Sequence, residues 1–341
     1  MKRPLFSLII PCHNPDETIC RLFDSLTRQN FPKDELEIIV VDDNSDSLDY
    51  RNKILDYNFN IIFTETDTDK YCPGNTRRAG MPYVTGKWLF FCDQDDLFED
   101  NVLPQIEQYI NEHKNETIYV ISTIMRSYNV EEDKFTQDFP HKQAWLHGKW
   151  YSMDNLIIPY NVNFKKDLIS NEDVYFNSLV LSKLYKMKKS WNCININTYK
   201  WVENPKSLSR TGIAESKRGY LYDHFEDYMV SAYEPYWEET KRNPNNYIFT
   251  NQIMMTLLHA YFYYEAASYY EGPNSYKDII DIIKEYIFKI NTELKLDANF
   301  IIDFVYADPL KYNLVRQECE ICTGLFIPKT AFRDFIYRLS Q

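Results

Sequence analysis

An apolar run leads directly into a group of acidic residues at FFCDQDD, residues 90–96. Trp88–Cys92 is short and apolar and follows a Gly-Lys turn, which is typical of a buried parallel strand. Three aspartates, Asp93, Asp95 and Asp96, stand at the predicted end of this strand. Like charges crowded into a partly dry site cost free energy. We therefore expect a positively charged group beside them.

Strand and helix patterns alternate through the first third of the sequence. Strands are predicted at Leu5–Ile10, Leu36–Val41, Phe59–Phe63 and Lys87–Cys92, and helices at Pro15–Gln29, Asn52–Tyr57 and Asn75–Val84. This alternation predicts an α/β fold with a mostly parallel, Rossmann-like sheet and helices on both faces.

Polar residues follow three of these strands, at Pro11–Asn14, Asp42–Ser45 and Asp93–Asp96. Ligands of such sheets bind beyond the carboxyl ends of the strands, so we expect a site where the three clusters meet. Carboxylates one residue apart, as in Asp93 and Asp95, can serve a metal ion and a hydroxyl, and oxygen ligands favour Mg²⁺ or Mn²⁺. Taken alone, such a triplet is more often a solvated acidic turn than a metal site.

The rest of the sequence divides into an irregular part and a helical part. A strand at Thr117–Met125, a helix near Glu172–Leu184 and a strand near Cys193–Val202 are predicted first. Beyond Gly212 the β signal fades and aromatic helical stretches follow, at Gln252–Tyr269 and Tyr276–Ile290. We predict two domains, 1–212 and an α-helical domain at 213–341.

Composition excludes several classes of function. The net charge of −12 over 341 residues argues against binding to a nucleic-acid backbone or an anionic membrane. No window is long and apolar enough to span a membrane, and the N-terminal residues lack the pattern of a signal peptide. The seven cysteines are scattered and odd in number, so we expect a cytoplasmic protein.

Six segments occur in an order that resembles one enzyme family. They are FSLIIPCHN (6–14), EIIVVDDNS (37–45), PGNTRRAG (73–80), FCDQDD (91–96), HGKWY (147–151) and SNEDVYF (170–176). Together they resemble the family 2 glycosyltransferases, which have the GT-A fold and use nucleotide-diphosphate sugars. The resemblance covers roughly residues 5–210. It implies a nucleotide-sugar half at about 1–100 and an acceptor half at about 101–212.

The resemblance implies a nucleotide pocket at the strand ends. Pro11, His13 and Asn14 would line the nucleoside pocket. Asp43 would accept a hydrogen bond from the base, and a carboxylate suits the N3–H of uracil. Arg77 would sit near the nucleotide, although the next residue is an arginine where the family pattern has asparagine.

The acidic triplet and a later loop would complete the donor site. By the same resemblance, Asp93 would hold the ribose and Asp95 would bind Mn²⁺ or Mg²⁺. Ser209 and Arg210 would donate hydrogen bonds to the diphosphate from a loop that closes over it. Some relatives carry a histidine near this loop as a further metal ligand. Residues 201–210 contain none, which leaves His141 and His147 as candidates.

Glu172 and Asp173 match the acidic pair of the family, whose second member is the general base. An alternative is a helix start, with Asn171 as the cap and two acids that favour the helix dipole. Beside the other motifs we assign the pair to catalysis.

The resulting hypothesis is an inverting, metal-dependent glycosyltransferase that moves a sugar from a UDP-sugar to a hydroxyl of a glycan or other acceptor. One rival is a nucleotidyltransferase, but that class needs a glycine-rich basic loop after the first strand, and PCHNPDET (11–18) has no glycine. Another rival is a sugar-nucleotide binding protein without turnover. The aromatic helices of the C-terminal part are expected to pack as an accessory domain or to mediate homo-oligomer contacts, with acceptor binding as the alternative.

Overall fold

A parallel core of four strands follows the predicted alternation. A computed structural model of the chain describes residues 2–66, 68, 72–140, 146–203, 225–242 and 277–294. The four strands are β1 (Phe6–Cys12), β2 (Leu36–Asp42), β3 (Asn60–Glu65) and β4 (Trp88–Phe91). They pair in parallel in the order β3-β2-β1-β4. The predicted α/β class is therefore confirmed.

Five further strands extend this core into a mixed sheet. They are β5 (Leu97–Phe98), β6 (Val120–Asn129), β7 (Lys134–Pro140), β8 (Lys149–Ser152) and β9 (Asn192–Val202). Across the part of the chain that the structure describes, the sheet continues from β4 through β8, β6 and β9 to β5, while β7 pairs with the edge of β6. β8 is antiparallel to β4 and β6, and β9 is parallel to β6. Strands β5, β7 and β8 were not predicted, because each is short or lies in a polar segment.

Helices cover the sheet on both faces. In the first part of the chain they are α1 (Thr18–Thr27), α2 (Tyr50–Leu55), α3 (Pro73–Gly80), α4 (Val102–Glu112), α5 (Ile158–Tyr160) and α6 (Glu172–Lys186). Pro73 lies at the first position of α3, where its missing N–H costs nothing. The predicted helix that ended at Val84 in fact ends at Gly80 and continues as a 3₁₀ turn, Met81–Tyr83.

Alternate side chains of β1 enter two apolar cores on opposite faces of the sheet. Phe6, Leu8 and Ile10 pack in the core that includes the apolar side of α1. Ile9 packs in the other core, with Phe176 of α6. Because both faces of the parallel strands are covered, the strand ends are the part of this sheet that can meet a ligand.

The chain divides into two compact units, Met1–Tyr220 and Leu221–Gln341. In the second unit the structure describes α7 (Phe225–Arg242) and α8 (Lys277–Leu294), and α8 agrees with the helix predicted at Tyr276–Ile290. The helix predicted at Gln252–Tyr269 and the boundary near Gly212 lie outside the described residues. No helix in the described ranges is long and apolar enough to cross a membrane.

Candidate active site

The loops after β1, β2 and β4 are tied together, as the convergence of their polar residues predicts. His13 Nδ1 lies 2.6 Å from the carbonyl oxygen of Asp43, and the His13 backbone N–H donates to Gln94 Oε1 at 3.0 Å. The backbone N–H of Asn14 donates to Ser45 Oγ at 2.8 Å. Asn14 adopts a left-handed conformation with φ 44°, which asparagine tolerates better than most residues. The three loops therefore form one continuous polar edge.

Asp43 lies beneath this edge with its carboxylate almost fully bonded to the protein. Its side chain is buried, and one oxygen accepts from the hydroxyl of Thr66 at 3.0 Å. The other accepts from the hydroxyl of Thr76 at 2.9 Å and from the backbone N–H of Cys72 at 3.3 Å. Pro11, in β1 opposite Val41, lies just before the same edge. A base that bound to Asp43 would have to share the carboxylate with these donors.

Arg77 is a positive group beside Asp93, of the kind that the crowded aspartates predict. It lies on α3 and is 4% exposed. One terminal nitrogen donates to Asp93 Oδ1 at 2.7 Å and the other to Glu172 Oε1 at 2.6 Å. The side chain therefore joins the segment after β4 to the start of α6, and so joins the motifs that are expected to serve the donor and the acceptor. The next residue, Arg78, instead donates to the carbonyl oxygen of Phe164.

Asp93, Asp96 and His147 form a group that could hold a metal ion. Each offers one ligand atom, and the three atoms lie within 4.8 Å of one another. His147 Nε2 is 3.1 Å from Asp93 Oδ2, and its ring stacks on that of Tyr199 with the ring centroids 5.1 Å apart. Asp96 Oδ1 accepts from the backbone N–H of Val202 at 2.8 Å.

These residues fit a divalent cation. Within the described ranges, Asp96 Oδ2 and His147 Nε2 are buried atoms without a hydrogen-bond partner. Carboxylate oxygens and an imidazole nitrogen are accepted ligands of Mn²⁺, and carboxylates also suit Mg²⁺. Asp95, the ligand implied by the resemblance, is not a member of the group, and its role stays a prediction. Of the two candidate histidines, His147 joins the group and His141 lies outside the described residues.

Two aspartates of the triplet differ in acidity because their neighbours differ. Burial alone would raise the pKa of Asp93, but Arg77 and His147 hold it well below its ordinary value. Burial, followed by the negative charges of Asp95 and Asp93, raises the pKa of Asp96 well above its ordinary value. The site therefore combines an ionised carboxylate, Asp93, with a second one, Asp96, whose ionised form a nearby positive charge would stabilise.

Glu172 and Asp173 occupy the first turn of α6. The preceding Asn171 is left-handed, with φ 58°, and its side chain does not cap the helix. Asp173 Oδ1 accepts from the backbone N–H of Val174 at 2.7 Å. Burial raises the pKa of Asp173 and raises that of Glu172 to about 7, while Arg77 acts in the opposite direction on both. The catalytic role of the pair stays a prediction.

Two further polar residues of this region carried no sequence signal of their own. Lys149 of β8 is fully buried, and burial lowers its pKa to about 7 while Asp173 raises it. The hydroxyl of Tyr199 accepts from the backbone N–H of Asp93 at 2.8 Å and so supports the end of β4. Lys149 lies in a segment that was quoted only for its resemblance to the family, and Tyr199 lies in a predicted strand, so neither residue was singled out. Ser209 and Arg210 lie outside the described residues, and their roles stay predictions.

Comparison with known proteins defines the class to which this site belongs. Residues 7–167 match the model of "Glycosyl transferase family 2". These residues are therefore a family 2 glycosyltransferase domain, and the predicted family is confirmed.

Several relatives and a solved structure are similar to this chain. Over 201 residues it is 26% identical to poly(ribitol-phosphate) beta-N-acetylglucosaminyltransferase TarS of Staphylococcus aureus (strain MW2). This match spans 56% of this chain and 33% of the relative. Over 135 residues it is 33% identical to a PGL/p-HBAD biosynthesis glycosyltransferase of Mycobacterium bovis (strain BCG / Pasteur 1173P2). This match spans 38% of this chain and 50% of the relative. The matches thus span a third to a half of these relatives.

The crystal structure of S. aureus TarS 1–349 in complex with UDP-GlcNAc superposes with a TM-score of 0.56 at 18% identity, covering 99% of this chain and 92% of that chain. This similarity confirms the GT-A fold.

Proposed function

We propose that the chain is an inverting, metal-dependent glycosyltransferase that moves a sugar from a UDP-sugar to an acceptor hydroxyl. One observation carries the proposal, the link from Asp93 through Arg77 to Glu172. It brings the carboxylates expected to serve the donor next to the pair expected to serve the acceptor. A single in-line displacement needs both sets within one site.

The residues divide the chemistry between them. Asp173 takes the proton of the acceptor hydroxyl as that oxygen bonds to the anomeric carbon, and the bond from this carbon to the phosphate oxygen breaks. Proton transfer of this kind contributes roughly 10²–10⁴-fold in rate. Asp93, Asp96 and His147, with Asp95 as the ligand implied by the family, would hold Mn²⁺ or Mg²⁺. Such an ion would neutralise the charge of the departing diphosphate.

The relatives suggest which substrates to test first. TarS is named as an N-acetylglucosaminyltransferase of poly(ribitol-phosphate), and its solved structure contains UDP-GlcNAc. We take UDP-GlcNAc as the first donor and ribitol-phosphate oligomers as the first acceptors. A cytoplasmic location would supply the donor, and the cysteines of the described ranges, all free thiols, agree with a reducing compartment. Self-association through the C-terminal part stays a proposal.

A UDP-release assay separates the proposed activity from its rivals. The chain is incubated with Mn²⁺ and each of UDP-GlcNAc, UDP-glucose and UDP-galactose, with and without acceptor. A glycosyltransferase releases UDP faster when acceptor is added. Release of pyrophosphate from UTP and a sugar phosphate would instead identify a nucleotidyltransferase, and binding of UDP-sugar with no release would identify a binding protein.

A further inference from the structure

Arg77 holds two carboxylates that belong to different parts of the site. We propose, on the basis of the function above, that Arg77 is a positioning residue that fixes the Glu172–Asp173 pair relative to Asp93, and that it does not bind the nucleotide. The family resemblance had placed it near the nucleotide. The contacts of its side chain point to a different role.

Both terminal nitrogens of the guanidinium group already donate to carboxylates of the protein. One terminal nitrogen lies 2.7 Å from Asp93 and the other 2.6 Å from Glu172. The Arg77 side chain is 5% exposed, against 29% for that of Asp93 and 14% for that of Glu172. A ligand entering from solvent therefore meets the carboxylates before the arginine. The planar fork of arginine suits this arrangement because its two ends can bond to separate acceptors in fixed directions.

The start of α6 packs directly against α3, so the Arg77 side chain reaches Glu172 without an intermediate residue. A Cβ atom at Gly74 would lie 2.9 Å from Glu172 Cβ, which shows how closely the two helices approach. The next residue, Asn75, donates its side-chain N–H to Asp167 Oδ1 at 3.1 Å, and its side-chain oxygen accepts from the backbone N–H of Asp167 at 2.9 Å. This second contact holds the segment before α6 without Arg77, so loss of Arg77 is expected to misplace the acidic pair rather than to release the helix.

A positioning role and a nucleotide-binding role for Arg77 predict different kinetic effects when Arg77 is replaced. A residue that binds the diphosphate or base changes the affinity for UDP when it is replaced. A residue that positions the general base, Asp173, instead changes the turnover of bound substrate. A displacement of about 1 Å at a reacting group can cost about a hundredfold in rate. Arg77→Lys keeps the charge but removes the fork, so one of the two carboxylates loses its partner.

The test compares Arg77→Lys and Arg77→Gln with the matched control Arg78→Lys on the same helix. The affinity for UDP is measured by calorimetry, and transfer from UDP-GlcNAc is measured as kcat and KM. We expect kcat to fall at least about tenfold in both Arg77 variants, while the dissociation constant of UDP and the KM of the donor stay within about twofold. Arg78→Lys should retain the wild-type kcat and the wild-type affinity for UDP. Circular dichroism establishes that each variant is folded.

A double-mutant cycle with Glu172→Gln tests whether Arg77 acts through its partner. If it does, replacing Arg77 should cost much less in kcat once Glu172 is already glutamine. Multiplicative losses would overturn the proposal, as would a tenfold loss of UDP affinity in Arg77→Lys. A wild-type chain without transfer activity would refute the proposed function instead, and the UDP affinity of Arg77→Lys would still decide whether Arg77 binds the nucleotide.

Discussion

Replacing Glu172 by glutamine should change how the stability of the protein depends on pH. Burial raises the pKa of Glu172 to about 7 from an ordinary value of 4.5, so the folded chain holds this proton more tightly than the unfolded chain. The stability that results is complete below pH 4.5 and is lost as the pH rises to about 7. At about 1.4 kcal/mol per pKa unit, the wild type loses roughly 3 kcal/mol across this window that the variant does not lose.

Urea unfolding of both proteins between pH 4 and pH 8 measures this difference. The free energy of unfolding of the wild type, minus that of Glu172→Gln, should fall steadily between pH 4.5 and 7. Glu131→Gln, which changes an exposed glutamate, is the matched control and should give a flat difference. A flat or rising difference for Glu172→Gln would mean that Arg77 keeps Glu172 ionised, and the reasoning from burial would be wrong.

Three further replacements test the individual roles. Asp173→Asn keeps the shape of the side chain but removes the proton acceptor, so acceptor transfer should fall at least about a hundredfold with UDP-sugar binding retained; normal turnover would remove Asp173 as the base. Asp43→Ala should weaken UDP binding by about 1.5–3 kcal/mol in calorimetry, the scale of one hydrogen bond to a charged group, and unchanged affinity would leave Asp43 as a support for Thr66 and Thr76. Asp95→Ala should abolish transfer, and EDTA should do the same to the wild type; full activity in EDTA would contradict the metal requirement.

The strand ends could be predicted from the sequence because the physical signals there are local. An apolar run followed by polar residues marks the end of a buried parallel strand, so the positions of His13, Asp43 and Asp93 followed from the pattern alone. The need for a positive group beside the aspartates followed from like-charge repulsion. That this group is Arg77 could not be derived, because its two partners lie 16 and 95 residues away in the chain.

The acceptor half was harder to predict because one of its strands, β8, is short and because its strands do not pair in sequence order. β8 is four residues long and lies between β4 and β6, and periodicity over so few residues cannot establish a strand. The group of Asp93, Asp96 and His147 could not be predicted from the sequence for a similar reason. Asp96 and His147 meet because β8 follows directly after His147 and pairs with β4, a contact between residues 51 apart that no motif spacing encodes.

The anomeric configuration of the product tests the central claim, a single displacement with Asp173 as the base, most directly. Wild-type protein with Mn²⁺ and UDP-GlcNAc, in which the sugar is α-linked, is followed by proton NMR while water acts as a slow acceptor. The account predicts that the first sugar released is the β anomer and that Asp173→Asn slows its appearance. Release of the α anomer first, at a rate unaffected by Asp173→Asn, would contradict it.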